Sequence, residues 1–313
     1  MNVVMTRKAI FAGILLSVVF GWPSHAEQND FPDLKGPYFG QTAPVDAAEI
    51  FMEGIISTRE DPEMCAVFNA DGKTFYYNAL YENRWTIFVT RESNGRWTRP
   101  EPMAFTAGYT DRDFTMSPDG GRIFFGSDRP REPGGPRQSA LDIFMTKRLP
   151  SGAWSMQTVV GPPVSTEAGE NYPSVALSGN LYFFSKRNDG IGLCDIYTSS
   201  YVNGIYQPPI PLDSSVNSVK NDWDAYIAPD ESYIIFSSQN RDDTIGKQDL
   251  YISFKGSNKE WTKAVNMGSL VNSSDDEICP SVSLDGKYLF FTTRRRGTAD
   301  IYWMDARIIE KLK

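Results

Sequence analysis

Five copies of one short turn motif divide this sequence, and their regular spacing constrains the fold more than any other feature. A tight turn followed by an aromatic run occurs as NADGKTFYY, SPDGGRIFF, ALSGNLYFF, APDESYIIF and SLDGKYLFF. From Asp71 to Asp119, Ser178, Asp230 and Asp285, the successive spacings are 48, 59, 52 and 55 residues. A second landmark follows each turn, as WTIF, LDIF, CDIY, QDLY or ADIY. Two landmarks in constant order at a near-constant period indicate a repeat architecture.

Each repeat is predicted to consist of short β-strands. The segments after the turns are rich in aromatic and β-branched residues and are bounded by glycine or aspartate, which is typical of strands. These segments are Thr74–Tyr77, Ile123–Phe125, Leu181–Phe184, Tyr233–Phe236 and Tyr288–Phe291. No long window shows the 3.6-residue period of an amphipathic helix. Four strands in 40 to 55 residues correspond to one blade of a β-propeller.

The motif SPDGGRIFF, followed by LDIF, resembles the WD40-like β-propeller repeat of the TolB type. The resemblance recurs five times and covers residues 60 to 305. It implies a propeller fold and a binding or scaffold role rather than a particular chemistry, because such propellers serve many functions.

The two ends of the chain are predicted to share one blade. The last repeat ends at IYWMDARIIEKLK without an outermost strand, whereas EIFMEGIISTRED (49–61) resembles the outer segment AVNMGSLVNSSDDE (264–277). We therefore expect an all-β, five-bladed propeller in which the N-terminal strand completes the C-terminal blade. Six blades, a common number for the TolB type, is the alternative, although residues 27–48 are too few and too polar for another blade.

The N-terminus has the pattern of a cleavable export signal. Arg7 and Lys8 precede the apolar run Ala9–Trp22, and Ser24 and Ala26 provide the small residues that a signal peptidase recognises. A membrane anchor is the alternative, but the run is shorter than the roughly 20 residues that span a bilayer. The predicted organisation is a signal peptide (1–26), an N-terminal extension (27–47) and one propeller domain (48–313), located in the periplasm or secreted, with no membrane span after cleavage.

Charge and histidine content exclude several functions. The 31 basic and 39 acidic residues give a net charge of −8, which disfavours nucleic acid as a partner. The single histidine is His25, inside the predicted signal. A chain cleaved after Ala26 therefore holds no Ser-His-Asp triad and no histidine-ligated metal.

The two faces of the predicted propeller differ. The turns between the first and second strands of each blade lie on one face, which we call the turn face. The opposite face, which we call the loop face, carries the long connections 128–141, 186–193 and 238–248. Because binding residues usually lie on irregular loops held by a rigid scaffold, the loop face is the expected functional face.

An acidic residue stands eight positions before each turn landmark. We call this set the acidic ring, and it comprises Glu63, Asp111, Glu170, Asp222 and Glu277. Each should open an innermost strand near the mouth of the central channel. The functional interpretation is a ring that binds a cationic ligand or a divalent cation, calcium being the ion that oxygen ligands alone would suit. In the structural alternative, each carboxylate accepts backbone N–H groups within its own turn.

Basic residues follow the second strand of four repeats, and one tryptophan adjoins the acidic ring. The basic residues are Arg129, Arg187, Arg241, Arg294 and Arg295. They could clamp an anionic ligand. Alternatively, some pair with the aspartates that open the third strand, which are Asp142, Asp195, Asp249 and Asp300. Trp223, beside Asp222, is a candidate for stacking on a ligand.

Cys65 and Cys279 occupy the same position in the first and fifth repeats, which closure makes neighbours. A disulfide between them is possible, unless the innermost strands stand farther apart than the roughly 7 Å that a disulfide can span between Cα atoms. Cys194 is expected to be a buried thiol.

Two functions follow from these observations. The leading one is an exported, non-enzymatic binding module whose loop face docks a protein, a peptide or an envelope component, with no catalytic residues and no cofactor other than possible calcium. The alternative is a carbohydrate-active enzyme acting on a glycan through two carboxylates of the acidic ring, because such chemistry needs no histidine.

Overall fold

Five antiparallel sheets follow one another along the chain, and each forms one blade of a five-bladed β-propeller. The computed structural model describes residues 31–106 and 108–313, so the predicted signal peptide (1–26) lies outside the described residues. Residues 33–313 make one compact unit. Within the described residues, no helix has the length and apolar character needed to cross a bilayer.

The strands, numbered in chain order, alternate in direction within each blade. The first is β1 (Glu49–Ile50), and blade 1 contains β2 (Glu63–Phe68), β3 (Thr74–Tyr81), β4 (Arg84–Ser93), β5 (Arg96–Trp97) and β6 (Glu101–Pro102). Blade 2 contains β7 (Asp111–Met116), β8 (Arg122–Ser127), β9 (Asp142–Lys147) and β10 (Thr158–Val159). Blade 3 contains β11 (Glu170–Val175), β12 (Leu181–Ser185), β13 (Asp195–Ser199), β14 (Tyr201–Val202), β15 (Ile205–Tyr206) and β16 (Ile210–Pro211).

Blades 4 and 5 complete the ring. Blade 4 contains β17 (Asn221–Ile227), β18 (Tyr233–Gln239), β19 (Asp249–Phe254) and β20 (Val265–Asn266). Blade 5 contains β21 (Glu277–Val282), β22 (Tyr288–Thr293) and β23 (Asp300–Asp305), and a short helix α1 (Ile308–Lys311) follows it.

The outermost strand of blade 5 comes from the other end of the chain, as the sequence predicted. Strand β1 pairs antiparallel with β23, with Glu49 opposite Trp303 and Ile50 opposite Tyr302. The amide of Phe51 donates to the carbonyl of Ile301 at 2.8 Å. The five-blade count and this mode of closure are therefore confirmed. Pairing the two ends in one sheet covers strand edges that would otherwise be open.

The segment before β1 packs into the seam between blades 1 and 5. Phe39 stacks on Trp97 with ring centroids 4.1 Å apart, and Tyr38 contacts Tyr288 and Trp303 edge-on or tilted. The indole N–H of Trp97 donates to the carbonyl of Gly36 at 2.9 Å. This part of the N-terminal extension thus adds aromatic burial to the closure.

The core consists of the aromatic runs that the turn motif introduces. Phe75, Phe124, Phe183, Phe236 and Phe290, one from the second strand of each blade, have relative exposures of 0 to 1%. Successive side chains along a strand point to opposite faces of the sheet, towards one neighbouring blade and then the other. These phenylalanines therefore fill the spaces between neighbouring blades. The same residues that identify the repeat therefore build the hydrophobic core.

A bulge interrupts the innermost strand of every blade. The pairing register shifts between the first and the fourth residue after each acidic-ring residue. In each blade the second residue after the acidic-ring position has a positive φ, between 48° and 55°, and none of the five is glycine: they are Cys65, Asp113, Tyr172, Asp224 and Cys279. Non-glycine residues rarely adopt this conformation. Because it recurs in all five blades, the bulge is a regular structural element of the innermost strands.

Candidate functional site

The acidic ring lies where the sequence predicted, at the first residue of β2, β7, β11 and β21 and the second of β17. Each carboxylate stands opposite a residue of the second strand, which in blades 2 to 5 in turn faces the third-strand aspartate. In blade 1 the row is Glu63, Ala79 and Thr86. In blade 3 the row is Glu170, Ser185 and Asp195. All five acidic-ring residues are buried, with relative exposures of 0 to 3%. They are part of the blade interior rather than an open surface.

Four of the five carboxylates accept hydrogen bonds from their own entry turn. Asp222 accepts the amide of Ser218 at 2.6 Å and its hydroxyl at 2.9 Å. Thr58, Thr166 and Ser273 make the same pair of contacts with Glu63, Glu170 and Glu277. These four carboxylates therefore follow the structural alternative, in which each one accepts a backbone N–H group within its own turn.

Asp111 differs from the other acidic-ring residues. The sequence has Ala107 four positions before it, where three of the other repeats have serine or threonine. Its Oδ1 is buried and has no hydrogen-bond partner among the described residues. Burial raises the pKa of Asp111 to about 6, against the opposing charge of Arg129.

Arginines of the second-strand ends pair with the acidic ring in blades 2 to 5. The guanidinium lies within ion-pair distance of the carboxylate, at 2.6 to 3.3 Å, in the pairs Arg129–Asp111, Arg187–Glu170, Arg241–Asp222 and Arg295–Glu277. Each also donates to a backbone carbonyl of the preceding connection, which for Arg295 is that of Val271 at 2.6 Å. At least two aromatic rings flank each guanidinium, such as Phe236 and Tyr251 around Arg241.

The predicted pairing of these arginines with the third-strand aspartates is wrong. The second strand lies between the first and the third, and the side chains turn towards the first because the carboxylate and the carbonyl together satisfy the guanidinium there. Arg294 pairs instead with Asp276, at 3.5 Å. Arg131, which the sequence analysis did not single out, holds Asp142 at 2.7 Å.

The other third-strand aspartates order the connections of the loop face. Asp249 accepts the amides of Ile245 and Gly246 at 2.6 and 2.9 Å. Asp195 accepts the amide of Gly192 at 2.9 Å, and Asp300 accepts the hydroxyl of Thr298 at 3.1 Å. These carboxylates fix the shape of the connections on the loop face.

Glu63 is the acidic-ring residue without an arginine. Among the described residues no guanidinium lies within ion-pair distance of it, and Tyr81 stands where blades 2 to 5 place their arginine. Burial raises the pKa of Glu63 to about 8, more than the hydrogen bonds from Thr58 lower it. Burial without a neighbouring arginine therefore favours the protonated form of Glu63.

Trp223 lies in the innermost strand of blade 4 between two acidic residues, Asp222 and Asp224. It is partly exposed and stands opposite Ser237 of β18. This position near the channel leaves part of the indole accessible, and its stacking role stays a prediction.

The bulges bring the side chain of Asp113 to Cys65 and Cys279, the two cysteines that the sequence makes neighbours. The sulfur atoms of Cys65 and Cys279 lie 3.1 Å apart, and Sγ of Cys65 lies 3.9 Å from Oδ1 of Asp113. All three cysteines are unbridged and buried. The signal was available, since these residues follow the acidic ring by two positions in every repeat. Their convergence depends on the bulge, which no local motif announces.

A cavity runs along the other half of the channel. It has a volume of about 540 Å³ including the solvent at its mouth, and it extends from Cys65 and Tyr172 towards the turn face. Its walls are mostly apolar and include Phe68, Met116 and Val282. The sequence predicts a functional surface on the loop face alone, and no motif announces this cavity.

The loop face displays neighbouring apolar side chains at the junction of blades 3 and 4. Leu193 and Val219 are 73% and 72% exposed, and Ile191 is 41% exposed. Their backbones run side by side, since the amide of Leu193 donates to the carbonyl of Lys220 at 3.0 Å. We call Ile191, Leu193 and Val219 the loop-face patch. Grouped exposed apolar side chains of this kind are typical of interaction sites.

These features define a class of protein, a five-bladed β-propeller whose inner strands are braced by buried acid–arginine pairs. No protein-family model matches the sequence, and no curated protein does. Solved structures do match. A protein assigned as TolB from Agrobacterium tumefaciens aligns with a TM-score of 0.51 and 16% identity over 78% of this chain and 77% of its own.

Two further solved structures show the range of the similarity. TolB from Acinetobacter baumannii aligns with a TM-score of 0.50 and 15% identity, over 79% of this chain and 52% of its own. A glycoside hydrolase aligns with a TM-score of 0.56 and 9% identity, over 87% of this chain and 92% of its own. Similarity at these identities shows the propeller fold alone, and it includes both a TolB and an enzyme.

Proposed function

We propose that this protein is an exported, non-enzymatic binding module whose loop face docks a protein, a peptide or an envelope component. The observation that carries the proposal is the loop-face patch, in which Leu193 and Val219 are 73% and 72% exposed on backbone segments that run side by side. Asp195 caps the loop that carries Ile191 and Leu193, because it accepts the amide of Gly192, and so it holds this part of the patch in place. A preordered surface loses less entropy when it binds.

The use of the acidic ring also supports a binding role. A glycosidase needs an acid and a second carboxylate roughly 5 to 9.5 Å apart, both facing the sugar. In the ring, every carboxylate is at most 3% exposed, and four are paired with arginine. The carbohydrate-active alternative would need a rearrangement that frees two of them. Calcium at the ring would meet the same arginines, which already neutralise the carboxylates.

Export is part of the proposal and rests on the sequence of residues 1–26. Production in a bacterium followed by mass measurement of the periplasmic or secreted fraction tests it, with an expected N-terminus at Glu27. A chain that keeps its first 26 residues and stays with the cells would contradict export with cleavage.

Site-specific photo-cross-linking tests the docking face. A photoreactive residue at Val219 is expected to cross-link a discrete partner in the envelope fraction, whereas one at Leu177 is not. Leu177 is the matched control because it is 66% exposed but lies in the tight turn after β11, on the turn face. The identified partner is then titrated against Leu193→Asp, Val219→Asp and Leu177→Asp. The first two should weaken binding about tenfold or more, the effect of losing a hot-spot side chain.

A glycan panel separates the two candidate functions. The binding proposal predicts no hydrolysis of oligosaccharides by the wild-type protein. Hydrolysis that disappears in Glu63→Gln would contradict it, because Glu63 is the ring carboxyl without an arginine and with a pKa raised to about 8, as a general acid requires. A partner captured equally at Val219 and Leu177 would contradict the choice of face.

A further inference from the structure

The bulge residues of blades 1, 2 and 5 place two thiols and a carboxylate around one point in the central channel. The potential ligand atoms of Cys65, Asp113 and Cys279 all lie within 4.8 Å of one another, and all three residues are buried. They come from strands β2, β7 and β21. We call these three residues the channel cluster.

Neighbouring groups hydrogen-bond to Asp113 and to the backbone of Cys279, and so they position the channel cluster through atoms other than sulfur. The amide group of Asn171 donates to Oδ2 of Asp113, and the backbone amide of Asp113 donates to Asn78 at 3.0 Å. Oδ1 of Asp113 faces the sulfur of Cys65. Asp224, the bulge residue of blade 4, accepts the amide of Cys279 at 3.3 Å and adds a second carboxylate. The cation beside the cluster is Arg112, 3.3 Å from Asp113.

We propose that Cys65, Cys279 and Asp113 bind a zinc ion. Thiolate sulfur selects zinc and other soft metals over calcium and magnesium, and a carboxylate is a common further ligand. Two ligands of one tetrahedral zinc stand about 3.5 to 3.8 Å apart, given bond lengths near 2.3 Å for sulfur and 2.0 Å for oxygen. The separations of 3.1 Å between the sulfurs and 3.9 Å between sulfur and carboxylate need only small adjustments to reach this range.

The net charge of the ligand set and the blades that the ligands join are both consistent with a bound zinc ion. When zinc binds, the two thiols release their protons to solvent, so two thiolates and one carboxylate around Zn²⁺ carry a net charge of −1. Arg112 offsets that charge. A disulfide between Cys65 and Cys279 would use only the sulfurs and would leave Arg112 to offset both neighbouring carboxylates, Asp113 and Asp224. Zinc would also connect blade 1 to blade 5 directly across the seam where the ring closes.

Metal analysis of the whole protein tests the proposal. The chain is reduced, stripped with a chelator, incubated with zinc alone and desalted. One zinc per chain is expected. Cobalt in place of zinc should give sulfur-to-metal charge-transfer absorption and the strong visible bands of a tetrahedral site. The cobalt spectrum of the wild type depends on no variant, so it decides the case even where a variant fails to fold.

Variants assign the ligands. Cys65→Ser, Cys279→Ser and Asp113→Asn should each weaken zinc binding by more than about 100-fold, and Asp224→Asn by about 10- to 100-fold as an outer-shell change. Cys194→Ser is the matched control, a buried free cysteine outside the cluster, and should bind zinc as the wild type does. Less than 0.1 zinc per reduced chain (about a tenth of a one-site stoichiometry), or equal loss in Cys194→Ser, would overturn the proposal. A Cys65–Cys279 disulfide whose reduction restores no zinc binding would do the same.

Discussion

The guanidinium of Arg241 lies 2.6 Å from the carboxylate of Asp222, and this relationship recurs in four of the five blades. In each case the arginine reaches from the end of the second strand back to the start of the first. The same arginine also donates to a backbone carbonyl in the loop that arrives from the previous blade, which for Arg241 is the carbonyl of Val216. The pair therefore joins neighbouring blades at the loop face. It explains how a chain with so many buried carboxylates near one axis remains stable.

Replacing one partner of such a pair should lower the free energy of unfolding strongly, and replacing both partners should lower it less. Arg129→Met leaves Asp111 buried and uncompensated, so we expect the free energy of unfolding to fall by about 3 to 5 kcal/mol. The double variant Arg129→Met/Asp111→Asn should recover part of that loss. Urea unfolding in a double-mutant cycle measures both. The exposed pair Arg307–Asp305 is the control, and Arg307→Met should change stability by at most about 1 kcal/mol. Equal costs at the two sites would refute the bracing role.

Glu63 should make the stability of the protein fall as the pH rises. Its pKa is about 8 in the folded state, against an ordinary value of about 4.5 for a glutamate in the unfolded chain. Below pH 4.5 both states hold the proton and the group makes no difference. Between pH 4.5 and 8 the unfolded chain releases the proton while the folded chain keeps it, so unfolding becomes progressively easier. Above pH 8 the full loss is reached.

Glu63→Gln should remove this pH dependence, because an amide imitates the protonated acid and keeps the contacts with Thr58. Urea midpoints at pH 5 and pH 8.5 give the measurement, and the variant should be more stable than the wild type at the higher pH. Glu277→Gln is the control, since it leaves Arg295 without its carboxylate and should destabilise the protein at both values. A wild type and a Glu63→Gln variant with parallel pH profiles would disprove the assignment.

The sequence predicts the repeat-based features of this structure well and the direction of individual side chains poorly. The turn motif recurs because each blade needs the same turn and the same aromatic core, so blade number and closure follow from counting. Arg241 follows β18, and the carboxylates of Asp222 and Asp249 lie on the two strands that flank β18, so spacing alone does not choose between them. The serine or threonine four residues before Glu170, Asp222 and Glu277 is the signal that could have identified a closed hydrogen-bonded turn.

The cysteines show a second limit. Equivalent positions on inner strands suggested that Cys65 and Cys279 might stand too far apart, yet their sulfurs lie 3.1 Å apart. The difference comes from the bulges, where both residues adopt positive φ. A bulge changes the direction of one side chain without changing the hydrophobic pattern, so periodicity does not reveal it.

Because β1 closes the ring, truncating one buried side chain next to it should strongly lower the free energy of unfolding. Phe51 follows β1, is completely buried and contacts Phe75, Phe290 and Trp303 across the seam. Phe51→Ala should lower the free energy of unfolding by about 3 to 5 kcal/mol, the usual cost of truncating a core phenylalanine. Leu177→Ala, at an exposed turn, should change it by less than about 0.5 kcal/mol. Comparable small effects at both positions would mean that the N-terminal strand contributes little to the fold.

The aspartate caps predict which loop opens when one of them is lost. Asp249 accepts two amides of the connection before β19 and the side-chain amide of Asn266 at 2.7 Å. Asp249→Ala should therefore release this connection while the blade stays folded, because the β18–β19 pairing is independent of the carboxylate. Limited trypsin digestion should then cut after Lys247, an exposed residue in that loop, several-fold faster than in the wild type. Asp242→Ala, at an exposed position of the same loop, is the control and should leave the rate unchanged. If cleavage instead spreads across all blades, Asp249 supports the whole propeller rather than the shape of one loop on its binding face.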